Sequence, residues 1–574
     1  MVTVTERPAT DWNAVNWRKV NRRVVNLRQR IFRASRQGDL KKVRSLQRLM
    51  LQSYSNTLLS VRRVAQENQG RDTPGTDNLV VKTPERRAWL VDYLMTFQPW
   101  RAKPARRVYI PKANGKLRPL GIPSIVDRAI QARVKNALEP YWEQRFEGCS
   151  YGFRPGRGCH DAIAKIYGIA RPNKRKKWVL DADIEGAFDN IDHDYLLGKI
   201  GNFPARELLR QWLKAGYVDR NVFHDTERGT PQGGVISPLL ANIALHGLEG
   251  TLGIWFNSRG EIAGPRALVR YADDFVVFCE SKEDAERVRD DVLPPWLARR
   301  GLRLSAEKTR IVHLTEGFDF LGFNVRHYKA PKTTKTGYKL LIKPSKESVK
   351  RIRKKLRDEW RRSIGRKLGG RGNTIARINS IVRGWANYFR IGVAKRTFAK
   401  LDRWMWKRET RYCDRTHPGK STKWKREKYF RNGTFIDKQT GAYVLGFSGF
   451  RIERHVLVKG TSSPDDPDQR EYWEKRSKVK AKDLRSSDQK VAKNQDYKCP
   501  ICGEDLFNGE KLEKNHVIPK SEGGTDSYAN LQWVHYLCHK QVHKDRKQGD
   551  KASGKLEPDA VKVARPVLRG GGRQ

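Results

Sequence analysis

The sequence predicts a multidomain α/β protein, and three observations predict it. Between about residues 70 and 330, short strand-like runs ("RRVYIP", "WVLDADI", "LVRYA", "FVVFC") sit between helical stretches. Basic segments flank this body on both sides, helical at the N-terminal end. The chain's 574 residues exceed what one hydrophobic core can organise, so about three to five folding units are expected.

Charge narrows the partners. Lys and Arg number 117 against 63 Asp and Glu, a net charge of +54. A surplus of that size exceeds what solubility requires and points to a polyanion, because Lys and Arg that neutralise phosphates release condensed counterions. Nucleic acid is the first candidate. A membrane surface is disfavoured, since there is no run of about 18 apolar residues and no lipidation motif. The start, "MVTVTERPATDW", lacks the order of a signal peptide, so an intracellular, bacterial-type cytoplasmic location is expected.

Taken in order, residues 14–69 read as two basic helices broken near "QGD" at 37–39, with Val20, Val24, Leu27 and Ile31 on one face. The mixed α/β body follows. From 341 to 430 there are 29 Lys or Arg against 7 Asp or Glu, with Trp385, Tyr388, Trp404, Trp406, Tyr412 and Trp424 interleaved. Such mixing suits nucleic acid, where guanidinium groups pair phosphates and rings stack on bases, although most of these rings read as helix core. The tail from about 549 has the composition of a disordered segment. No internal repeat is present. Four of the seven cysteines (Cys149, Cys159, Cys279, Cys413) are scattered and read as buried thiols, while Cys499, Cys502 and Cys538 cluster among histidines.

"RYADDFVVF" sets Asp273 and Asp274 between apolar strand runs, which reads as a tight hairpin with acids at its tip. A solvated turn and a grip on divalent metal are both open at this point. A second acidic stretch, "WVLDADIEGAFDNIDHD", alternates so that Asp181 and Asp183 share one strand face. Two cations about 4 Å apart require several converging carboxylates, which these stretches together could supply. "GTPQGGVISPLLANI" offers paired glycines for close backbone approach before a helix. "RRVYIPKANGKLRPLGIP" places Lys112 and Arg118 around an "ANGK" turn.

The blocks "RRVYIPKANGKLRPLGIP", "SYGFRPGR", "LDADIEGAFDNI", "GTPQGGVISPLLANI", "RYADDF", "GLRLSAEKT" and "FDFLGF", followed by "IVRGWANYF", occur in this order across residues 100–390. In this the sequence resembles the reverse transcriptases encoded by group II introns, the maturase family. The resemblance implies a right-hand polymerase of fingers, palm and helical thumb. It implies that Asp183, Asp273 and Asp274 bind two Mg²⁺, a choice among Asp181, Asp183 and Asp189 that spacing alone does not make. Lys112 and Arg118 would hold the incoming triphosphate, Phe188 would pack beneath the sugar and exclude a 2′-hydroxyl, and Gln232 would lie along the nascent base pair. The substrates implied are dNTPs.

Near the C-terminus, "YKCPICGEDL" and "NLQWVHYLCHKQVH" have the ligand types and spacing of a structural Zn²⁺ site, with Cys499, Cys502 and Cys538 completed by a histidine, His535 matching best. The intervening stretch resembles an HNH endonuclease, a ββα-metal module appended to many members of this intron family. The resemblance implies His516 as general base, Asn530 as the residue that fixes the turn, and one Mg²⁺ held by His539, with His543 a further ligand. Asn515 departs from the pattern, since many relatives carry His or Asp there as a cation ligand.

The expected units are basic N-terminal helices (1–70), fingers and palm (71–330), a thumb or maturase region (331–405), a DNA-binding region (406–490), a zinc-bound HNH module (491–548) and a tail (549–574). The expected partners are group II intron RNA, target DNA and dNTPs, with no membrane; oligomeric state is not readable. A maturase acting only as an RNA chaperone conflicts with intact acids at Asp183, Asp273 and Asp274. A reverse transcriptase outside an intron conflicts with "IVRGWANYF" and the HNH tail.

Overall fold

The computed structural model describes residues 9–543 apart from 97–99, 112–114, 116, 259, 332–334, 365, 367, 370–371, 482–483 and 485. Lys112 and the tail from 549 therefore lie outside the described residues.

The N-terminal segment forms three helices: α1 (Trp17–Arg36), α2 (Leu40–Gln52) and α3 (Tyr54–Arg62). Each is started by a short polar side chain that accepts a backbone N–H, Asn16 from Lys19, Asp39 from Lys42 and Ser53 from Asn56. Two helices were expected here. Ser53, extended at φ −69°, ψ 121°, ends the second and caps a third. Val20, Val24 and Ile31 are buried and Leu27 packs against the main core, as their helical spacing requires.

The body contains two four-stranded sheets. In the fingers, Ala105–Pro111 and Leu117–Ile122 form an antiparallel hairpin, and Ala105–Pro111 also pairs in parallel with Tyr217–Asp219, which is followed by Val222–His224. In the palm the spatial order is Ala267–Tyr271, Asp274–Cys279, Trp178–Ala182, Arg310–His313, with every pair antiparallel.

Strand alternation explains how the palm is held. Leu180, Ala182, Leu268, Phe275 and Val277 face one core, shared with Leu138 and Trp142 of helix Ile125–Glu143 and with Ile236–Leu252. Val179, Val269, Val276 and Phe278 face a second core, shared with Phe318, Phe323 and the helices Lys346–Arg362, Thr374–Phe389 and Lys395–Thr416. The sheet is thus buried on both faces, which is why its strands read as near-continuous apolar runs.

The thumb's last helix, Lys395–Thr416, runs through residue 405, so the boundary expected there falls inside one continuous helix. Of the interleaved rings, Tyr412 is buried and Trp385, Tyr388 and Trp404 pack against the second core, whereas Trp406 is 47% exposed. Cys149, Cys279 and Cys413 are buried thiols; Cys159 is only half-buried. At the C-terminal end, Leu512–His516 pairs antiparallel with Leu531–His535, and a helix follows from 536 to 543, a ββα arrangement. Among the described residues no helix is long and apolar enough to cross a membrane.

One glycine fixes the palm hairpin in place. Residues 149–151 run alongside Ala267–Tyr271, with the Tyr151 N–H donating to the Arg270 carbonyl at 2.9 Å and the Arg270 N–H to the Cys149 carbonyl at 2.9 Å. This brings Gly152 so close that an added Cβ would lie 2.4 Å from the Ala272 nitrogen. Gly152→Ala is therefore expected to cost about 1–3 kcal/mol, the usual range for overpacking, read as a lower denaturation midpoint in urea; an unchanged midpoint would show that the backbone contact is loose.

Candidate active sites

The palm brings its acids together through two local devices. Strand Trp178–Ala182 ends one residue before Asp183, whose carbonyl is pinned by the Ser305 N–H at 2.8 Å. The hairpin pairs Tyr271 with Asp274, leaving Ala272 and Asp273 as a two-residue turn with Ala272 at φ +59°. A positive φ at the first turn position is what such tight hairpins demand. Behind the turn, the fully buried Arg270 donates to the Ala272 carbonyl and to Asn242 Oδ1, both at 3.2 Å, and Asn242 Nδ2 donates to the Gly152 carbonyl at 2.9 Å.

The acids repel one another. Burial, and then Asp273, Asp183 and Asp181, push the Asp274 carboxyl up to about 6. Asp273 is raised as well, by burial first and then by Asp183, while Arg118 pulls it back. The cation already present is Lys308, whose Nζ donates to Asp183 Oδ2 at 2.6 Å. Asp181 is engaged differently: Arg310 grips its Oδ2 at 3.1 Å from the neighbouring strand. The sequence could not separate Asp181 from Asp183. The structure distinguishes them by partner, a strand-bound guanidinium for one and a flexible ammonium for the other.

Around this cluster, Phe188 is half-buried against the main core, and its ring meets that of Phe153 edge-on at 6.3 Å. The "GTPQGG" loop lies against it: the Thr230 N–H donates to the Phe188 carbonyl at 2.6 Å and Gln232 Nε2 to Asp189 Oδ2 at 3.0 Å. Two of its glycines are required for contact. A Cβ at Gly229 (φ +84°) would lie 2.5 Å from the Asp189 carbonyl oxygen, and one at Gly233 (φ +121°) 2.7 Å from that of Gly121. Since the Gly121 N–H also donates to the Gln232 carbonyl at 2.7 Å, this loop joins the fingers hairpin that carries Arg118 to the palm.

In the C-terminal module, Cys499, Cys502, His535 and Cys538 are all buried, with ligand atoms within 4.8 Å of one another. Cys502 Sγ and His535 Nδ1 are 3.3 Å apart, close to the ~3.5 Å edge of a tetrahedron with metal bonds of about 2.0–2.3 Å. His535 Nε2 faces the Asp505 carbonyl at 3.1 Å, an arrangement that leaves Nδ1 for a metal. The residues present fit a closed four-ligand metal site.

Two further histidine clusters lie in the same module. His516 Nε2 meets Asp526 Oδ1 at 2.7 Å, and Lys520 bonds the other oxygen of Asp526 at 2.7 Å. Asn530 spans the intervening loop, accepting the Ile518 N–H at 2.7 Å and donating to the carbonyls of Ile518 and Thr525 at 3.0 and 2.8 Å. His539 Nδ1 meets Glu513 Oε2 at 2.9 Å, and its Nε2 faces His543 Nε2 at 2.9 Å. Asn515 is 2% exposed and lies opposite Gln532 in the hairpin. Glu513, two residues earlier on the same strand, brings a carboxylate to His539. Sequence reading missed Glu513, and also Lys308 and Arg270, although each sits inside or beside one of the motifs.

Comparison with known proteins agrees with this layout. Residues 12–94 match the N-terminal domain of reverse transcriptase, 110–325 reverse transcriptase (RNA-dependent DNA polymerase), 349–430 the group II intron maturase-specific domain and 499–545 the HNH endonuclease. The chain is 37% identical to protein YkfC of Escherichia coli over 316 residues, 48% of this chain and 82% of that protein. It is 31% identical to the group II intron-encoded protein LtrA of Lactococcus lactis over 369 residues, 50% of this chain and 60% of LtrA. It is 30% identical to a 91 kDa protein in a cob intron of Schizosaccharomyces pombe over 50% of this chain and 43% of that one.

The Glu513 carboxylate gives the cluster of His539 and His543 its negative charge. Glu513→Gln, which keeps the shape, is expected to weaken Mn²⁺ binding by His539 and His543 about tenfold or more in electron paramagnetic resonance titration, while metal retention at the cysteines, followed by release to a chelator, stays unchanged.

Proposed function

The chain belongs to the group II intron-encoded reverse transcriptase and maturase family, and from that premise we propose that it copies its intron RNA into DNA, assists that RNA's splicing and cuts the target DNA. The observation that carries the reading is that the pairing of Ala182 with Phe275 sets Asp183 beside Asp274, which adjoins Asp273, so that each acid feels the charge of the others. Such crowding is costly in isolation and is relieved by divalent cations.

Asp183, Asp273 and Asp274 would hold two Mg²⁺, which when bound supply charge stabilisation for attack of a primer 3′-hydroxyl on the triphosphate and for departure of pyrophosphate. Lys308 would yield Asp183 as the cations enter and keep its positive charge beside the reacting phosphates. Arg118, with Lys112, would clamp the triphosphate. Phe188, anchored through its carbonyl to the "GTPQGG" loop, would pack beneath the sugar and disfavour a ribonucleotide. Gln232, held by Asp189, would lie along the new base pair.

In the nuclease module His516 would take a proton from water, with Asp526 fixing its ring and Asn530 its loop. Glu513, His539 and His543 would hold the divalent cation that stabilises charge on the phosphate. Zn²⁺ would be held by Cys499, Cys502, His535 and Cys538 as a structural element.

Splicing assistance needs no protein catalyst, because bringing RNA phosphates together chiefly requires their charge to be neutralised. The thumb supports this role. Burial, and then Arg411, Arg357, Arg361 and Arg415, depress the Arg408 guanidinium, so two helical faces crowd cations at one seam. Intron RNA is the polyanion proposed for that surface.

Asp273→Ala is expected to abolish primer extension while leaving intron RNA binding within about twofold, since one acid among +54 contributes little to a polyanion interface; extension at near wild-type rate would remove Asp273 from the catalytic set. His516→Ala should suppress cutting of the target bottom strand by a factor of about 10² or more, measured with intron RNA, target DNA and Mg²⁺, without slowing extension from a supplied primer.

A further inference from the structure

Arg62, the last residue of α3, is 3% exposed, although it belongs to the N-terminal helices of a strongly basic chain. Its Nη2 donates to Cys538 Sγ at 3.4 Å, its Nε lies 3.1 Å from Glu67, and its guanidinium stands 4.5 Å over the Trp17 ring. The cysteine it meets is 476 positions away in sequence. Burying a guanidinium is unfavourable unless anions surround it, and here, beside Glu67 and Glu510, it meets a cysteine of the candidate metal cluster.

The charge at that cluster makes the contact specific. Three thiolates and one neutral imidazole around a divalent cation carry one net negative charge, and the whole set is buried. Arg62 supplies the opposite charge from outside the ligand set. Further contacts join the same surfaces: Asn21 Nδ2 donates to the Cys502 carbonyl at 3.1 Å, and Gln541 Nε2 to the Asn13 carbonyl at 2.7 Å. Gly503 lets the Arg18 side chain lie against the cysteine turn, since a Cβ there would come within 3.0 Å of Arg18 Cγ. Trp17, Val20 and Val61 share one apolar core with Cys499, Cys502, Val534 and Cys538.

We propose that Arg62 is an outer partner of the metal centre, and that the loaded centre locks the nuclease module onto α1–α3. Metal loading and docking of the module are then one coupled equilibrium. The proposal rests on the reading of the cysteine cluster as a zinc site, which is checked first: the purified full-length protein should contain one equivalent of zinc, and its absence would defeat the zinc assignment separately from the role of Arg62.

The experiment tracks zinc release to a chromogenic chelator together with hydrogen exchange across residues 12–65 and 499–543. Chelating zinc from the unaltered protein should raise exchange in α1–α3 as well as in the module, while the palm strands stay protected. Arg62→Met should release zinc about tenfold faster, and Arg62→Lys, which keeps the charge without the fork, should fall between the two. Primer extension is measured alongside to show that the variants fold. If chelation leaves exchange in α1–α3 unchanged, the lock does not exist. If Arg62→Met retains zinc at the wild-type rate, Arg62 is not the metal's partner.

Discussion

The constraint on which the rest of the palm depends is electrostatic: three carboxylates must be kept together against their own repulsion. Lys308 cannot do this by itself, because it bonds just one of the three, Asp183. The restraint comes from behind. Alternate residues of the central strands enter two separate cores, so the backbone carrying the acids cannot slide or rotate without opening apolar packing on one side or the other. Arg270 then holds the turn from within, and Gly152 closes the space beside it. The neighbouring blocks "SYGFRPGR" and "GTPQGG" are backbone clamps in the same sense. Gly152, Gly229 and Gly233 stand where a methyl group would meet a backbone carbonyl or amide, next to the turn that carries Asp273 and to Phe188.

Much of this was legible in the sequence because it rests on short-range periodicity. The alternation in "WVLDADI", the two-residue turn in "RYADDF" and the glycine pairs each specify local geometry, and local geometry survives folding. The cysteine and histidine spacing was legible for the same reason, since a closed metal site restricts how far apart its ligands can lie in the chain. What escaped was long-range. Lys308 meets Asp183 across 125 positions, and Arg62 meets Cys538 across 476, with no periodic signal linking either pair. Ser53 also escaped, since a serine within a basic helical pattern reads as surface until its extended backbone is seen. Glu513 escaped as well, since nothing in the sequence signals that its carboxylate meets His539 across 26 positions.

The basic charge shows a related division. Several of the less exposed cations are matched by acids: Arg28 lies between Asp465 and Glu139, Arg154 pairs Glu143, and Arg266 pairs Asp284, whereas the buried Arg128, Arg270 and Arg300 rest on neutral oxygens. At the thumb seam cations are left crowded. Stability would favour the opposite distribution, because like charges at helical spacing repel. A surface that retains such a cost is one whose counter-charge arrives from outside, and a polyanion meets that condition at many positions at once.

The C-terminal module raises a problem of size. Residues 499–543 form one short hairpin and a helix, too little chain to bury a core of their own, and modules of this length ordinarily rely on a metal. Here the N-terminal helices cover the cysteine side chains, contributing Trp17, Val20 and Val61 to the same core. A nuclease built this way cannot be treated as an appendage on a linker. Its orientation is inherited from α1–α3, which pack in turn on helix Ile125–Glu143, and that helix holds the "GTPQGG" loop through Gln131 and the Val235 N–H at 2.9 Å. The two candidate catalytic centres are therefore joined by one continuous path of packed protein elements.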